Sequence, residues 1–377
     1  MRIRFSWVGA LGVLIAAPRL AAAADCPTFT DPIYLNGSSA AEPLVIAMAK
    51  VLSTQASPTT LVYAKPGSCV GVTSVNEDAT PTAACALGAC FTGTVEYWDP
   101  TASAGAGAVV TCTLTAPTHV DVGLSDVWVD TCTGAQPKAG VKDTSGPVEP
   151  MLFVVPKASQ QSAITAEEAY FAFGFGAPGQ AKPWTVEGNL AIRNPTSGTE
   201  QVIAHNINVP AGRWKGMDKG GSGGVLTAVS TATAAESTMG ILGSDVYDAN
   251  RDKLTALAFQ AFHQFGAFYA DSTATSFDKR NVRNGHYVNW GYLHMITRID
   301  GGNAMNPNAK RFVDWVTGNT GASGTPAPFD ATDVIIQAKM VPTCAMKVSR
   351  QSEGGALSPS APAADCSAKF ESAVAPH

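Results

Sequence analysis

Short apolar runs alternate with segments of helical periodicity along the chain from residue 31 onward. The runs predict strands, and the period near 3.6 predicts helices. Strands are predicted at 61–65, 120–124, 151–156, 190–194, 239–243 and 287–297. Helices are predicted at 41–53, 166–173, 198–206, 224–235, 251–269, 307–317 and 331–339, the second of them with a capping box at "TAEE". This alternation predicts an α/β protein with a largely parallel sheet.

The first 24 residues have the pattern of a secretory signal peptide. Arg2 and Arg4 precede an apolar stretch, and small residues follow up to Asp25. No later stretch approaches the roughly 20 apolar residues that a membrane helix needs. The sequence therefore predicts a soluble mature chain that is exported to the periplasm or secreted.

Composition narrows the kinds of partner. The 377 residues are 45% hydrophobic and 15% charged, which is enough for two globular units. The formal net charge of -5 disfavours nucleic acid or an anionic membrane as a partner, because both require a cationic surface. A bound anion must therefore be held by a local site.

Eight cysteines follow the signal, which fits an oxidising compartment and up to four disulfides whose pairing the sequence does not determine. Residues 73–117 are rich in Ala, Thr, Gly and Cys and are predicted to be an insertion stapled by disulfides. Residues 344–377 are predicted to be an irregular tail pinned at Cys344 and Cys366. The cysteine and histidine spacings match no metal site, so neither a metal nor a cofactor is expected.

Three segments place glycine and hydroxyl residues where a helix or loop begins: "NGSSAAEP" (36–43), "KPGSCVG" (65–71) and "RNPTSGTE" (193–200). The first turn of a helix carries unpaired N–H groups at the positive end of the dipole, which suits an anion. Asp126 follows a predicted strand, near the edge where loops converge in α/β sheets. Capping boxes, Ser39 with Glu42 and Ser197 with Glu200, are the alternative for two of these tips.

In content and order, this set resembles the phosphate-binding proteins of bacterial ABC importers, members of the type II periplasmic binding-protein superfamily. The resemblance includes a "GSSAAEP"-type tip, a "GSxxG"-type loop, an "xxGxSD" strand end, and Arg193 four residues before "SGT". Later segments, "GGSGGVLTAV", "GILGSD" and "NAKRFVDWVTG", are also similar to the family. The similarity extends over most of the mature chain.

The resemblance implies a ligand site for phosphate or a similar tetrahedral oxyanion. The implied residues are Ser38, Ser39, Ala40, Ser68, Asp126, Arg193, Ser197, Gly198 and Thr199. Hydroxyls and backbone N–H groups would donate, Arg193 would add a planar fork of donors, and Asp126 would accept. A carboxylate repels an anion that has no proton to donate, so Asp126 would favour monohydrogen phosphate over sulfate.

The resemblance also implies a two-lobed fold with a hinge and an interlobe cleft. One lobe would combine residues 25–155 with 285–377, and the other would be 156–284. A monomer that acts with a membrane ABC permease is the implied arrangement. Two departures affect the expected ligand: Cys69 stands in the second loop, where a disulfide to the insertion would alter access, and Ala40 stands where an aromatic is common.

Two other functions fit parts of the sequence. "GGSGG" (220–224) satisfies the G-x-S-x-G pattern, with Ser222 as nucleophile, Asp245 or Asp248 and then His286 or His294 in hydrolase order. The segment before it is polar and glycine-broken, so a flexible or ligand-adjacent glycine loop fits better than a serine hydrolase. A secreted structural or interaction protein that retains the fold without using the cleft is the second alternative, and the cysteine-rich segments favour it.

Overall fold

The computed structural model describes residues 24–79, 90–318 and 327–374. The predicted signal peptide falls almost wholly outside these ranges, as do Cys85 and part of the predicted insertion. Within the described ranges, no helix combines the length and apolar character needed to cross a membrane.

Strands and helices alternate through most of the chain. The strands are β1 Ile33–Gly37, β2 Leu61–Ala64, β3 Cys90–Asp99, β4 Ala108–His119, β5 Val122–Ser125, β6 Val141–Pro156, β7 Ala163–Thr165, β8 Leu190–Ile192, β9 Met217–Asp218, β10 Met239–Gly243, β11 Leu254–Ala256, β12 Ala258–Gln260, β13 Trp290–Asp300, β14 Asn303–Ala304, β15 Val348–Ser349 and β16 Ser358–Pro359. The helices are α1 Glu42–Leu52, α2 Ser68–Asn76, α3 Val129–Thr133, α4 Ala166–Phe175, α5 Gly198–Ile207, α6 Ser222–Ser230, α7 Ser244–Asp248, α8 Arg280–Arg283, α9 Pro307–Thr317, α10 Ala331–Gln337 and α11 Ser367–Val374.

One large sheet organises the fold, with the strand order β4-β3-β2-β1-β5-β13-β6-β10-β8-β9. Strands β2, β1 and β5 are parallel neighbours, and so are β10, β8 and β9. The long strands β6 and β13 run antiparallel to each other and join these two parallel groups. The sheet is therefore mixed, and the prediction of a largely parallel sheet is wrong because β6 and β13 reverse direction at its centre.

Apolar side chains form a separate core on each side of the long strands. Around β8 and β10, buried residues such as Phe153, Phe173 and Trp184 pack with α4, α5 and α6. Around β1 and β2, residues such as Leu44 and Phe312 pack between the sheet and α1, α9 and α10. Burying an apolar side chain of this size stabilises the fold by about 1.5–3 kcal/mol each. This packing fixes the positions of the two parallel strand groups and so of the loops at their ends.

Most predicted elements are confirmed within a few residues, including the capping box of Thr165 and Glu168. The predicted helix at 251–269 is wrong, because β11 and β12 occupy its first half. Leu254 and Ala256 are buried on β11, which pairs with β6. His263 and Gly266 then adopt positive φ angles of 61° and 86°, which end any regular element there.

The cysteine-rich segments contain more regular structure than the sequence predicts. Part of the expected insertion at 73–117 belongs to α2, and its end forms the antiparallel hairpin β3–β4 at the sheet edge. The described residues include the disulfides Cys26–Cys112, Cys69–Cys132 and Cys344–Cys366. Cys69 therefore pairs with α3 rather than with the insertion. The tail is pinned as predicted, although α11 makes its end helical.

Candidate functional site

Segments that are far apart in the chain meet around the carboxyl group of Asp126. The hydroxyls of Ser38 and Ser68 donate to Asp126 Oδ2 at 2.7 and 3.1 Å. The backbone N–H of Gly198 donates to Ser68 Oγ at 3.1 Å, which brings the start of α5 to the same place. Ser38, Ser68 and Asp126 are each at most 3% exposed. The structure thus brings together the loops that the sequence predicts to converge.

Sheet topology explains this convergence. Strands β1, β2 and β5 are parallel neighbours, so the residues that follow them lie at one edge of the sheet. Gly67 allows the sharp turn from β2 into α2, since its φ of 132° is rarely open to other residues. The second parallel group delivers α5 from the other side, where the backbone N–H of Cys69 donates to the carbonyl of Thr196 at 3.1 Å.

The residue that precedes α5, Ser197, does not cap the helix. Ser197 makes no capping hydrogen bond, although it is 2% exposed. The Glu200 carboxylate accepts a hydrogen bond from the backbone N–H of Arg193 at 3.0 Å, so it does not reach back to Ser197. Thr199 is likewise buried at 1% exposure. The capping-box alternative for Ser197 is therefore wrong. Ser68 on α2 accepts from the Gly198 N–H instead, and no described side chain accepts from the N–H groups of Thr199 and Glu200.

The first tip also differs from the capping-box pattern. Ser38, rather than Ser39, caps the 3-10 turn by accepting a hydrogen bond from the Ala40 backbone N–H at 3.1 Å. Glu42 pairs with the ammonium of Lys65 at 2.5 Å. The alternative role of Ser39 as a helix cap is therefore wrong. The Ser39 hydroxyl instead faces the group formed by β10, β8 and β9, where it accepts a hydrogen bond from Arg193.

Arg193 links this tip to the glycine-rich loop before α6. Its Nε donates to the Gly220 carbonyl at 2.6 Å, Nη1 to Ser222 Oγ at 3.0 Å, and Nη2 to Ser39 Oγ at 3.3 Å. The side chain is buried, and burial lowers its pKa against the opposing effect of Asp126. A buried guanidinium whose partners are hydroxyls and a carbonyl keeps a positive charge available for an anion.

Asp126 combines a satisfied and an unsatisfied oxygen. Oδ2 accepts from the two serines, whereas Oδ1 is buried and has no hydrogen-bond partner among the described residues. Burial raises the pKa of this carboxyl, and the hydrogen bonds from Ser38 and Ser68 oppose that rise. A buried acceptor without a donor is costly, so a ligand that presents an O–H group to Oδ1 would be stabilised.

Gly198 allows the two sides to approach closely. A Cβ at this position would lie 2.4 Å from Ser68 Oγ and 2.5 Å from Asp126 Oδ2. Any side chain here would push the tip of α5 away from the carboxyl. Close packing against Ser68 and Asp126 therefore explains the glycine at this position, and the sequence pattern alone does not reveal that packing.

Several buried polar residues near the site were not predicted. The Tyr63 hydroxyl donates to the carbonyl of Ser38 and so fixes the first tip. Glu149 on β6 and Asp245 on α7 place their carboxyl groups side by side near Gly243. The "GILGSD" segment offers a signal for Asp245, since it resembles the family. Glu149 has no local signal, because only strand pairing brings it to this place.

The hydrolase arrangement of Ser222 does not form. Its hydroxyl contacts Arg193 and Ser39, and no described histidine donates to or accepts from it. His294 pairs with Asp143 at 2.7 Å, and His286 stacks on Phe268. Without a base in contact, Ser222 lacks the partner that activates a serine nucleophile.

No protein-family model matches the sequence, and no curated protein matches it. Solved structures do match. A protein from Clostridium perfringens, assigned as a phosphate ABC transporter substrate-binding protein and solved with bound phosphate, is 13% identical, with a TM-score of 0.54 over 83% of this chain and 99% of that one. An ABC-type phosphate transport receptor from Vibrio cholerae is 12% identical, with a TM-score of 0.50 over 82% and 99% of the two chains.

The chain has the fold of phosphate ABC transporter substrate-binding proteins. This confirms the predicted fold class, a type II periplasmic binding-protein fold. At such low identity the likeness establishes the fold alone.

Proposed function

We propose that this protein is an exported solute-binding protein that captures inorganic phosphate, or a related protonated oxyanion, for a membrane ABC permease. The proposal depends on the buried Asp126, whose Oδ1 has no partner among the described residues while Arg193 and the start of α5 lie beside it. Monohydrogen phosphate has both an O–H group for Oδ1 and oxygens for the donors. Sulfate has no O–H group at neutral pH.

The proposed binding step uses groups that are already paired with one another. Ser38 and Ser68 hold Asp126, and Arg193 holds Ser39 and Ser222. Hydroxyls rotate freely, so each serine can turn its O–H group to a phosphate oxygen. Hydrogen bonds to a charged group contribute roughly 1.5–3 kcal/mol each. Several of them would offset the desolvation of an anion without a large positive field.

The two-lobed arrangement remains part of this proposal. Residues 25–155 and 285–377 would form one lobe and 156–284 the other, with the end of β6 and the segment before β13 at the two boundaries. The contacts of Gly198 with Ser68 and of Thr196 with Cys69 would then be made when the lobes close. Opening at the long strands would release the ligand as a monomer meets the permease.

Calorimetry of the mature protein with phosphate, arsenate and sulfate tests the proposal. We expect saturable binding of phosphate and arsenate and at least tenfold weaker binding of sulfate. A protein that retains the fold without using the cleft would show no saturable phosphate binding, and that result would overturn the proposal. The hydrolase alternative has no supporting contact at Ser222.

A further inference from the structure

An open cleft of about 570 Å³ adjoins the proposed phosphate site. Ser39 and Ser222, which both contact Arg193, form one side of it. Inorganic phosphate has five heavy atoms and needs the room of about three to four waters, roughly 100 Å³ at 30 Å³ per water. The cleft therefore has room for a group attached to a phosphoryl oxygen.

The far side of the cleft is acidic. Asp245 lines it from the start of α7 and is 4% exposed, and Glu149 lies directly behind at 1% exposure. A Cβ on Gly243 would lie 2.1 Å from Glu149 Oε1 and 2.5 Å from Asp245 Oδ1, so the two carboxyl groups are neighbours. The two carboxyl groups lie within hydrogen-bond reach of each other, and the backbone N–H groups of residues 245 and 246 approach them. Outside the pair, no described side chain donates a hydrogen bond to either carboxyl.

The other charged groups near the cleft are paired, although Lys65 with its two glutamates keeps a net charge of -1. Lys65 bridges Glu42 at 2.5 Å and Glu96 at 2.9 Å, so its ammonium is not available to Asp245. Arg193 and Asp126 face each other at the phosphate end. What remains is the negative charge at the acidic end.

Burial raises the pKa of Asp245 to about 6 and that of Glu149 well above its ordinary value, with Asp245 adding to the rise at Glu149. The pair therefore resists carrying two negative charges, and Asp245 is the member that lines the cleft. Unpaired buried charge is costly. A cation placed here by a ligand would relieve that cost.

We infer that the cleft binds a phosphate monoester that carries a primary ammonium, with the phosphoryl group at Arg193, Ser39 and Ser222 and the ammonium at Asp245. This inference rests on the proposed phosphate function. An ester retains one ionisable proton, with a pKa near 6, so its monoanion is the form that satisfies Asp126. Binding of the ester therefore weakens as the pH rises above about 6, whereas Asp245 becomes fully charged over the same range.

Calorimetry at pH 6.5 with inorganic phosphate, ethyl phosphate and 2-aminoethyl phosphate tests the inference. Native protein should bind 2-aminoethyl phosphate about tenfold or more tighter than ethyl phosphate, because the two probes differ only in the ammonium. In Asp245→Asn the preference should fall to about twofold or less, while inorganic phosphate binding changes little. Asp252→Asn, exposed four residues after α7 and outside the cleft lining, should keep the native preference.

The outcomes separate the two proposals. If native protein binds inorganic phosphate but shows no preference for the aminoethyl ester, the inference fails and the phosphate function stands. If none of the three probes binds, both fail. If Asp245→Asn weakens all three probes equally, the residue supports the fold rather than the ammonium. The native comparison decides the inference even if a variant does not fold.

Discussion

Replacing Asp126 by Asn isolates the proposed source of selectivity. The two side chains have nearly the same shape. The hydroxyls of Ser38 and Ser68 can therefore still donate to an oxygen, the amide carbonyl of Asn. The change removes one negative charge and replaces one carboxyl oxygen by an N–H donor. Oδ1 is the oxygen without a partner, so the amide nitrogen is expected there.

The change in hydrogen bonding at Oδ1 affects phosphate and sulfate in opposite directions. Monohydrogen phosphate loses an acceptor for its O–H group, which costs about 1.5–3 kcal/mol, or roughly 10- to 150-fold in affinity. Sulfate gains a donor, which contributes a similar amount in the opposite direction. Both dianions lose the repulsion of the Asp126 charge, about 4 kcal/mol for two unit charges at 4 Å with an effective dielectric constant of 20, so this repulsion cancels in the ratio of their affinities. The selectivity ratio should therefore fall by about a hundredfold or more.

Calorimetric titration of both anions at pH 7.5 and fixed ionic strength measures this ratio directly. Asp130→Asn is the matched control, because Asp130 lies four residues away and pairs with Gln136 outside the site. The control should keep the native ratio. An equal change in phosphate and sulfate binding in Asp126→Asn would show that the carboxylate has no part in rejecting sulfate.

Four further outcomes are expected. Arg193→Ala should weaken phosphate and arsenate alike, by about tenfold or more in calorimetry, and unchanged binding would place the anion elsewhere. Gly198→Ala should abolish phosphate binding while circular dichroism shows a folded chain, because its methyl group meets two side chains of the site. Burial raises the pKa of Glu200 to about 8. Its contribution to the free energy of unfolding is therefore fully present below pH 4.5 and is lost as the pH rises through 8. In urea unfolding at pH 5 and pH 8, Glu200→Gln should lessen that decline, and an unaltered decline would contradict the assignment. Replacing Cys344 and Cys366 by serine opens a loop with a sequence separation of 22 and should cost about 3 kcal/mol of unfolding free energy; a change below about 0.5 kcal/mol would indicate that the tail folds without its staple.

Local patterns predicted the parts of the site that come from single segments. Short stretches determine the spacing of Arg193 and Ser197 and the position of Asp126 after a strand. The structure brings these residues together. The ordered set of tips also predicted the fold class, which the likeness to solved structures confirms. Hydrophobic periodicity placed most strands and helices, because burial on one face imposes it directly.

The rest depends on contacts between distant segments. The pattern of residues 251–269 suits a helix, yet pairing of Leu254 and Ala256 with β6 overrides it. Disulfide partners are fixed by tertiary geometry, so the sequence did not predict Cys69–Cys132. Glu149 looks like an ordinary strand residue until β6 and β10 pair and bring it to α7.

A crystal structure of the mature protein grown with phosphate at neutral pH tests the central claim most directly. We predict a tetrahedral anion among Ser38, Ser68, Arg193 and the start of α5, with one oxygen about 2.5–2.7 Å from Asp126 Oδ1, as a charged O–H hydrogen bond requires. Phosphate bound away from Asp126, or none at this place under saturating conditions, would contradict the account.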